Sequence, residues 1–186
     1  MNEYPLNTAQ LLRALYPDAP QDAWSVSCAG QDVSIDRWAL DDPIPTPDEL
    51  AAWASSAEGA ATVLRLHQDH LHESRRALRT NAELGGFTHD GQRFDSDRDS
   101  ILRITNASQA AMQSLMVGLP FATVWTCFDG YQYPVPDAGT MLQIHGALVA
   151  HGQACHTYSQ ALAVQIEAAE TLEALQAIDI TTGWPG

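Results

Sequence analysis

The strongest local signal in this sequence is a short segment centred on Asp90-Gly91. This pair supplies the two positive φ angles that a two-residue hairpin turn requires. Phe87 and Phe94 flank the turn and provide an apolar anchor on each side. The segment therefore predicts a β-hairpin made of two short strands.

Two more hairpins are predicted, one before and one after this segment. The first alternates apolar and polar residues from Trp24 to Ile35, with Cys28 on its first strand and Gly30 in its turn. The second arranges aromatic residues around another Asp-Gly turn. Its members are Trp125, Asp129, Gly130, Tyr131 and Tyr133.

Apolar periodicity and end signals predict helices around these hairpins. One helix is expected to start at Pro47, to break at Gly59 and to resume until about Leu84. Ser96 with Asp99 forms a variant capping box in front of the next helix. The remaining helices are predicted over residues 8–16, 101–116 and 138–178.

The predicted fold class is α+β and mostly helical. A small N-terminal hairpin and helix module precedes a helical domain that holds two short β-hairpins and coiled-coil-like helix seams. Pro43, Pro45 and Pro47 stiffen the connection between them. The predicted parts are an N-terminal attachment module at 1–45, a connector with coiled-coil-like helices at 46–84, a hairpin-plus-helices domain at 85–180 and a tail at 181–186.

The helix that ends near Leu84 carries a heptad pattern. Leucines recur every seven residues, and polar residues recur three positions behind each of them. These positions are Leu64, His67, Leu71, Ser74, Leu78 and Asn81. A second seam of similar spacing runs from Met141 to Ile166. Both seams predict self-association, and the alternative is an amphipathic helix packed on its own domain.

The charge of the chain disfavours several classes of partner. The formal net charge is −14, and all nine basic residues are arginines. Without a basic stripe no nucleic acid is expected to bind, and without an apolar run of ~20 residues no membrane insertion is expected. Cys28, Cys127 and Cys155 are widely separated and are predicted to be free thiols in a reducing cytoplasm.

The densest group of chemically active residues lies between His67 and Glu73. His67 and His70 are spaced to share a metal, but no third ligand accompanies them. The alternating aspartates from Asp95 to Asp99 resemble the start of a calcium loop without its glycine and its final glutamate, so helix capping explains them better. No catalytic residue, metal or cofactor is predicted. The alternative is a metal-dependent hydrolase built on the histidines.

Aromatic residues in turns, in the hairpins and in the tail are further candidates for an interface. Tyrosine and tryptophan often anchor protein–protein contacts, and core packing explains the tyrosines equally well. The candidates are Trp24, Trp38, Tyr131, Tyr133 and Trp184.

The order of parts in the sequence also carries a family resemblance. The pattern consists of Gly86-Phe87, Asp90-Gly91, Phe94-Asp95-Ser96-Asp97, Trp125 before a second Asp-Gly turn, and an Ala-rich helix that reaches 166–175. Over residues 60–180 this pattern resembles an uncharacterised domain of phages and prophages. That domain is found in tail proteins and in tail-fibre accessory or assembly proteins. Residues 1–55 are loosely similar to the N-terminal part of such phage proteins.

The resemblance implies a non-enzymatic tail-tip, baseplate or tail-fibre-associated structural component that acts by protein–protein binding. Its partners would be other phage tail or tail-fibre proteins. A homo-oligomer is implied, with a trimer favoured because tail fibres are commonly trimeric. The implied location is the virion tail, after assembly in the host cytoplasm. The alternatives are a tail-fibre assembly chaperone outside the virion and a carbohydrate-contacting receptor-binding protein.

Overall fold

A computed structural model describes residues 7–29 and 32–186. The predicted turn at Gly30 and the Cys28 side chain lie outside the described part. Within it the chain forms six helices and three antiparallel two-stranded sheets, which confirms the mostly helical α+β class. The helices are α1 (Thr8–Leu15), α2 (Pro47–Ala54), α3 (Ala57–Leu84), α4 (Arg98–Val117), α5 (Ala138–Ala168) and α6 (Leu172–Gln176). The strands are β1 (Trp24–Ala29), β2 (Asp32–Trp38), β3 (Phe87–His89), β4 (Gln92–Phe94), β5 (Thr123–Thr126) and β6 (Gln132–Val135).

The three predicted hairpins are confirmed, and each forms a sheet of its own. In the hairpin of β3 and β4, Asp90 and Gly91 have φ angles of 49° and 70°. These are the positive values that the Asp-Gly signal predicted. The turn places Phe87 directly opposite Phe94. Both rings therefore lie on the same face of the hairpin.

The predicted break in the helix that starts at Pro47 is confirmed, but it lies at Ser55 and Ser56 and not at Gly59. Helix α2 ends at Ala54, and α3 starts at Ala57. The cause is a serine cap, because Ser56 Oγ accepts a hydrogen bond from the Gly59 backbone N–H at 3.1 Å. Gly59 consequently lies inside the first turn of α3.

The single C-terminal helix predicted over 138–178 is also interrupted. Helix α5 ends at Ala168, and α6 starts at Leu172. Thr171 between them has extended backbone angles, and its hydroxyl accepts a hydrogen bond from the Ala174 N–H at 3.1 Å. A threonine that caps a new helix start cannot continue the previous helix, because the cap position is non-helical.

The capping box predicted Ser96 as the cap of α4, but the residue that caps this helix is Asp97. The Asp97 carboxylate accepts hydrogen bonds from the backbone of the first turn, with Ser100 N at 3.2 Å. Ser96 is fully buried, accepts a hydrogen bond from Gly86 N at 2.8 Å and donates one to Glu83 O at 2.6 Å. Ser96 therefore ties the strand ends to the end of α3.

The chain forms two compact units. The first takes the residues up to His72 together with Ile166–Ile178, and the second takes Glu73–Gln165 together with Asp179–Gly186. In the first unit, α1 contacts α2 and β1. The division by role into an attachment module, a connector, a hairpin-plus-helices domain and a tail remains a prediction.

The core of the second unit joins two hairpins to α4 and α5. Phe87 and Phe94 are almost completely buried, and their stacked ring centroids are 5.4 Å apart. The other buried members are Ile104, Ala111, Cys127, Val135, Ala138, Met141, Ile144 and Leu148. Isolated two-stranded hairpins are at best marginally stable in water, so the helices hold these hairpins in place.

Candidate interaction surfaces

The predicted seam of α3 lies partly against the chain itself. The five positions from Leu64 to Leu78 are half-buried, and Asn81 is exposed. The seam comprises Leu64, His67, Leu71, Ser74, Leu78 and Asn81. The His67 ring hydrogen-bonds within the helix, with Nδ1 3.0 Å from Val63 O. Association through this seam remains a prediction.

The residues of the second predicted seam, from Met141 to Ile166, are buried within the chain. Those below one tenth exposure are Met141, Ile144, Leu148, Cys155, Leu162 and Ile166. This is the packed arrangement that was the alternative to self-association. The apolar stripe of α5 therefore packs inside the chain itself.

Polar side chains that the sequence analysis missed connect α3 to α5 inside the second unit. Arg75 is buried and donates hydrogen bonds from Nη1 to Ser159 O at 2.9 Å and to Ser159 Oγ at 2.6 Å. His151 Nε2 lies 3.0 Å from the Ala82 carbonyl oxygen. A carbonyl only accepts, so this nitrogen carries the proton. The only sign of this polar layer in the sequence is that charged and polar residues interrupt the apolar seams.

The Cys155 thiol lies beside this layer, with Sγ 3.8 Å from His151 Nε2. Burial, followed by the nearby Glu83 charge, raises the pKa of the Cys155 thiol. The thiol is therefore protonated at neutral pH, and the protonated thiol is not the nucleophilic form. The Cys155 and His151 pair contributes to packing and hydrogen bonding.

The acidic and histidine clusters contain the candidate metal ligands of the sequence. Within residues 7–29 and 32–186, no group of three His, Cys, Asp or Glu side chains is placed to hold a metal ion. Hydrogen bonds from the Ser100 hydroxyl and then the Ser100 N–H lower the pKa of Asp97. Asp97 thus acts as a helix cap, which is the role that the sequence favoured for these aspartates.

Two predicted anchors, Trp24 and Trp38, stack on each other in the first unit. They lie directly opposite one another on β1 and β2, with ring centroids 5.9 Å apart. Tyr16 packs against Trp38 at 5.5 Å, and the Arg13 guanidinium lies 4.3 Å from the Trp24 ring centroid. Both tryptophans are half-buried, so part of each ring remains open to a partner.

The other three aromatic candidates differ in exposure. Tyr131 is exposed. Tyr133 packs on Phe94 at 5.3 Å between ring centroids. Trp184 packs edge-on against Tyr158 at 5.0 Å, and its Nε1–H donates to Ile180 O at 2.9 Å. The structure therefore leaves Tyr131 as the most accessible of the three.

A groove in the first unit was not expected from the sequence. Its volume is about 460 Å³. It is lined by Ala54, Ala60, Ala61, Val63, Leu64, Glu170, Thr171, Leu172 and Glu173. The lining is mainly aliphatic, and its two charged members, Glu170 and Glu173, are exposed and acidic.

A second surface lies at the C-terminal end of α4. Four large apolar side chains there are each more than half exposed. The first three follow the i, i+3, i+4 spacing of one helix face, and the fourth follows the left-handed cap that ends the helix. They are Met112, Leu115, Met116 and Leu119. These four residues are called the α4 patch below.

None of the described helices combines the length and apolar character that a membrane span requires.

The Asp179 carboxylate accepts the hydrogen bonds that hold the C-terminal turn, so its pKa reports whether this turn is formed. Hydrogen bonds from the Thr181 hydroxyl, the Thr182 hydroxyl and the Thr181 N–H lower the pKa of Asp179 from 3.8 to about 2. A lowered pKa means that the stabilisation is present above pH 3.8 and is lost as the pH falls through about 2. Carboxyl NMR titration should show this low pKa. Replacing both threonines by valine should return it towards 3.8, and an ordinary pKa in the unaltered chain would contradict the turn geometry.

Two families match adjoining parts of the chain. The domain of unknown function DUF4376 matches residues 66–182, which is more than half of the chain. XkdW protein, a phage-associated family, matches residues 8–61. No curated protein and no solved structure matches the chain significantly. The chain therefore belongs to the DUF4376 family, and its N-terminal match indicates a phage-related protein.

Proposed function

We propose that the chain is a non-enzymatic structural component of a phage tail, at the tail tip, the baseplate or a fibre. It acts by binding other tail proteins. The observation that carries this proposal is the phage-associated match over residues 8–61. The resemblance of the hairpin segment to tail and tail-fibre proteins supports it from the other part of the chain.

The groove of the first unit is the proposed contact with a neighbouring tail protein. Its Ala54, Ala60 and Ala61 belong to the segment that matches XkdW, and its Glu170–Glu173 wall belongs to the segment that matches DUF4376. Both matched segments thus contribute to one concave surface. The preferred ligand is an apolar side chain flanked by Arg or Lys, because the charged residues of the groove are both acidic.

The stacked pair Trp24 and Trp38 is the second proposed contact. Each ring is half-buried by its neighbours, so it is held in a fixed orientation while part of its surface remains open. Rigid aromatic side chains of this kind often dominate the binding energy of an interface. This assignment keeps residues 1–45 as the proposed attachment module.

Filling the groove tests its role. Ala61→Trp places a large ring at an exposed position of the groove and should leave thermal unfolding almost unchanged while it abolishes incorporation into phage particles. Ala154→Trp is the matched control, because Ala154 is an exposed alanine of α5 that does not line the groove. Particles that incorporate both variants normally would show that the groove is not the contact.

A further inference from the structure

The C-terminal end of α4 extends an apolar face beyond the core. Ile104, Ser108 and Ala111 occupy one face of the helix and are buried. Leu115 follows on the same face, one turn after Ala111, yet it is 57% exposed. The helix face that packs on the core thus continues into solvent without a covering element.

Exposure increases towards the end of this helix. Met116 is 80% exposed and Leu119 is 64% exposed. Leu119 is held by the helix cap, in which Gly118 has a φ angle of 67° and Leu119 N–H donates to Ser114 O at 2.9 Å. Gly118 adopts the left-handed conformation that ends helices in this way. The α4 patch is therefore presented by regular, hydrogen-bonded backbone.

The sequence around the α4 patch carries almost no charge. Between Ile104 and Ile166 the sequence contains only two residues of the Asp, Glu, Lys or Arg types, Asp129 and Asp137, although 17% of the chain is of these types. The stretch from Ile104 to Phe128 contains none. Depletion of charged residues, with methionine enriched, is the compositional mark of an interface core. A solvated surface in so acidic a chain would carry carboxylates.

We propose that the α4 patch binds the α4 patch of a second copy of this chain. Two copies, each with a formal net charge of −14, repel one another wherever their carboxylates meet. The α4 patch lies in a stretch, Ile104 to Phe128, that adds no charge of its own to such a contact. Met112 and Met116 are flexible side chains that adapt to an apolar counterpart.

The charge pattern favours a copy over a basic partner protein. A basic partner is selected by an acidic rim, as around the groove of the first unit, and the α4 patch has no such rim in its own sequence. A contact of one patch with the same patch is isologous, and it closes as a twofold dimer. The trimer implied by the family resemblance would instead use another surface, such as the α3 seam. This proposal does not depend on the tail role.

Sedimentation equilibrium of the full chain tests the proposal. The unaltered protein should show twice the monomer mass at micromolar concentration. Raising NaCl from about 10 mM to about 1 M shortens the screening length from ~30 Å to ~3 Å. Dimerisation should therefore strengthen with salt, because screening removes the repulsion between copies, whereas binding to a basic partner would weaken.

Paired variants locate the contact. Met112→Glu with Met116→Glu should weaken dimerisation by at least about tenfold, since it adds like charges to the patch of each copy. Val149→Glu with Val164→Glu is the matched control, because these valines are similarly exposed on α5 and receive the same added charge. The control pair should remain dimeric.

A milder pair keeps the test decisive if the glutamates impair folding. Met112→Gln with Met116→Gln removes the apolar contacts without adding charge, and thermal unfolding checks that each variant is folded. A clean monomer in the unaltered chain at both salt concentrations would overturn the proposal. A trimer, or a dimer that persists in the folded Met112 and Met116 variants, would overturn it equally.

Discussion

Replacing Phe94 by alanine should lower the free energy of unfolding by about 3–5 kcal/mol, the usual cost of removing a buried phenylalanine. The Phe94 ring is fully buried. It stacks on Phe87 at 5.4 Å and meets Tyr133 edge-on at 5.3 Å. These neighbours are fixed by two hairpins, so the cavity cannot close without moving both of them.

Denaturant unfolding of the full chain measures this loss, and Phe87→Ala should show a loss of similar size. Phe128→Ala is the control, because Phe128 is 60% exposed and its ring contact is with the Arg93 guanidinium at 4.5 Å. That variant should lose no more than about 1 kcal/mol, the value of an exposed cation–π contact. If Phe94→Ala unfolded like the unaltered protein and lost only partner binding, Phe94 would be a contact residue instead.

Gly59→Ala should destabilise the first unit by about 1–3 kcal/mol or more, the range found for overpacked sites. In most helix interiors the same change stabilises, because alanine is the better helix former by about 1 kcal/mol. Here a Cβ atom would collide with the Trp53 carbonyl oxygen and would lie 2.7 Å from the carbonyl carbon. Backbone atoms cannot rotate away, so the turn between α2 and α3 would have to open.

Gly146→Ala is the matched control for this prediction. Gly146 lies inside α5, and a Cβ atom there would have no neighbour within 4 Å. Thermal unfolding should therefore show opposite changes for the two variants, a lower melting temperature for Gly59→Ala and an equal or higher one for Gly146→Ala. Equal stabilisation by both would show that the close approach of Trp53 and Gly59 does not exist.

Local chemistry explains which parts of the fold were predictable. The Asp90-Gly91 turn needs only two adjacent residues, so the hairpin and the pairing of Phe87 with Phe94 follow from the sequence. The helix starts at Ser56 and Thr171 were not predicted. A serine or threonine in the sequence does not reveal whether its hydroxyl accepts a hydrogen bond from the backbone N–H three residues later.

The candidate surfaces depend on information that no short segment contains. Leu115 continues the apolar stripe of α4, so the sequence predicts that it belongs to the core. It lies beyond Ala111, the last buried core residue of α4, and is exposed. The groove is lined by both Ala61 and Glu173, which are far apart along the chain. Conversely, the heptads of α3 predicted a free interface over the whole seam, yet five of its six positions are half-buried. Exposure is set by tertiary packing, which periodicity does not report.

The most direct test of the tail role is quantitative mass spectrometry of purified particles of a phage that encodes this chain. A structural component of the tail should be present in a fixed number of copies per particle, in constant ratio to the major tail proteins, after washing and gradient purification. Complete absence from mature particles, with abundance in the lysate during assembly, would contradict a structural role and would identify the chain as an assembly chaperone.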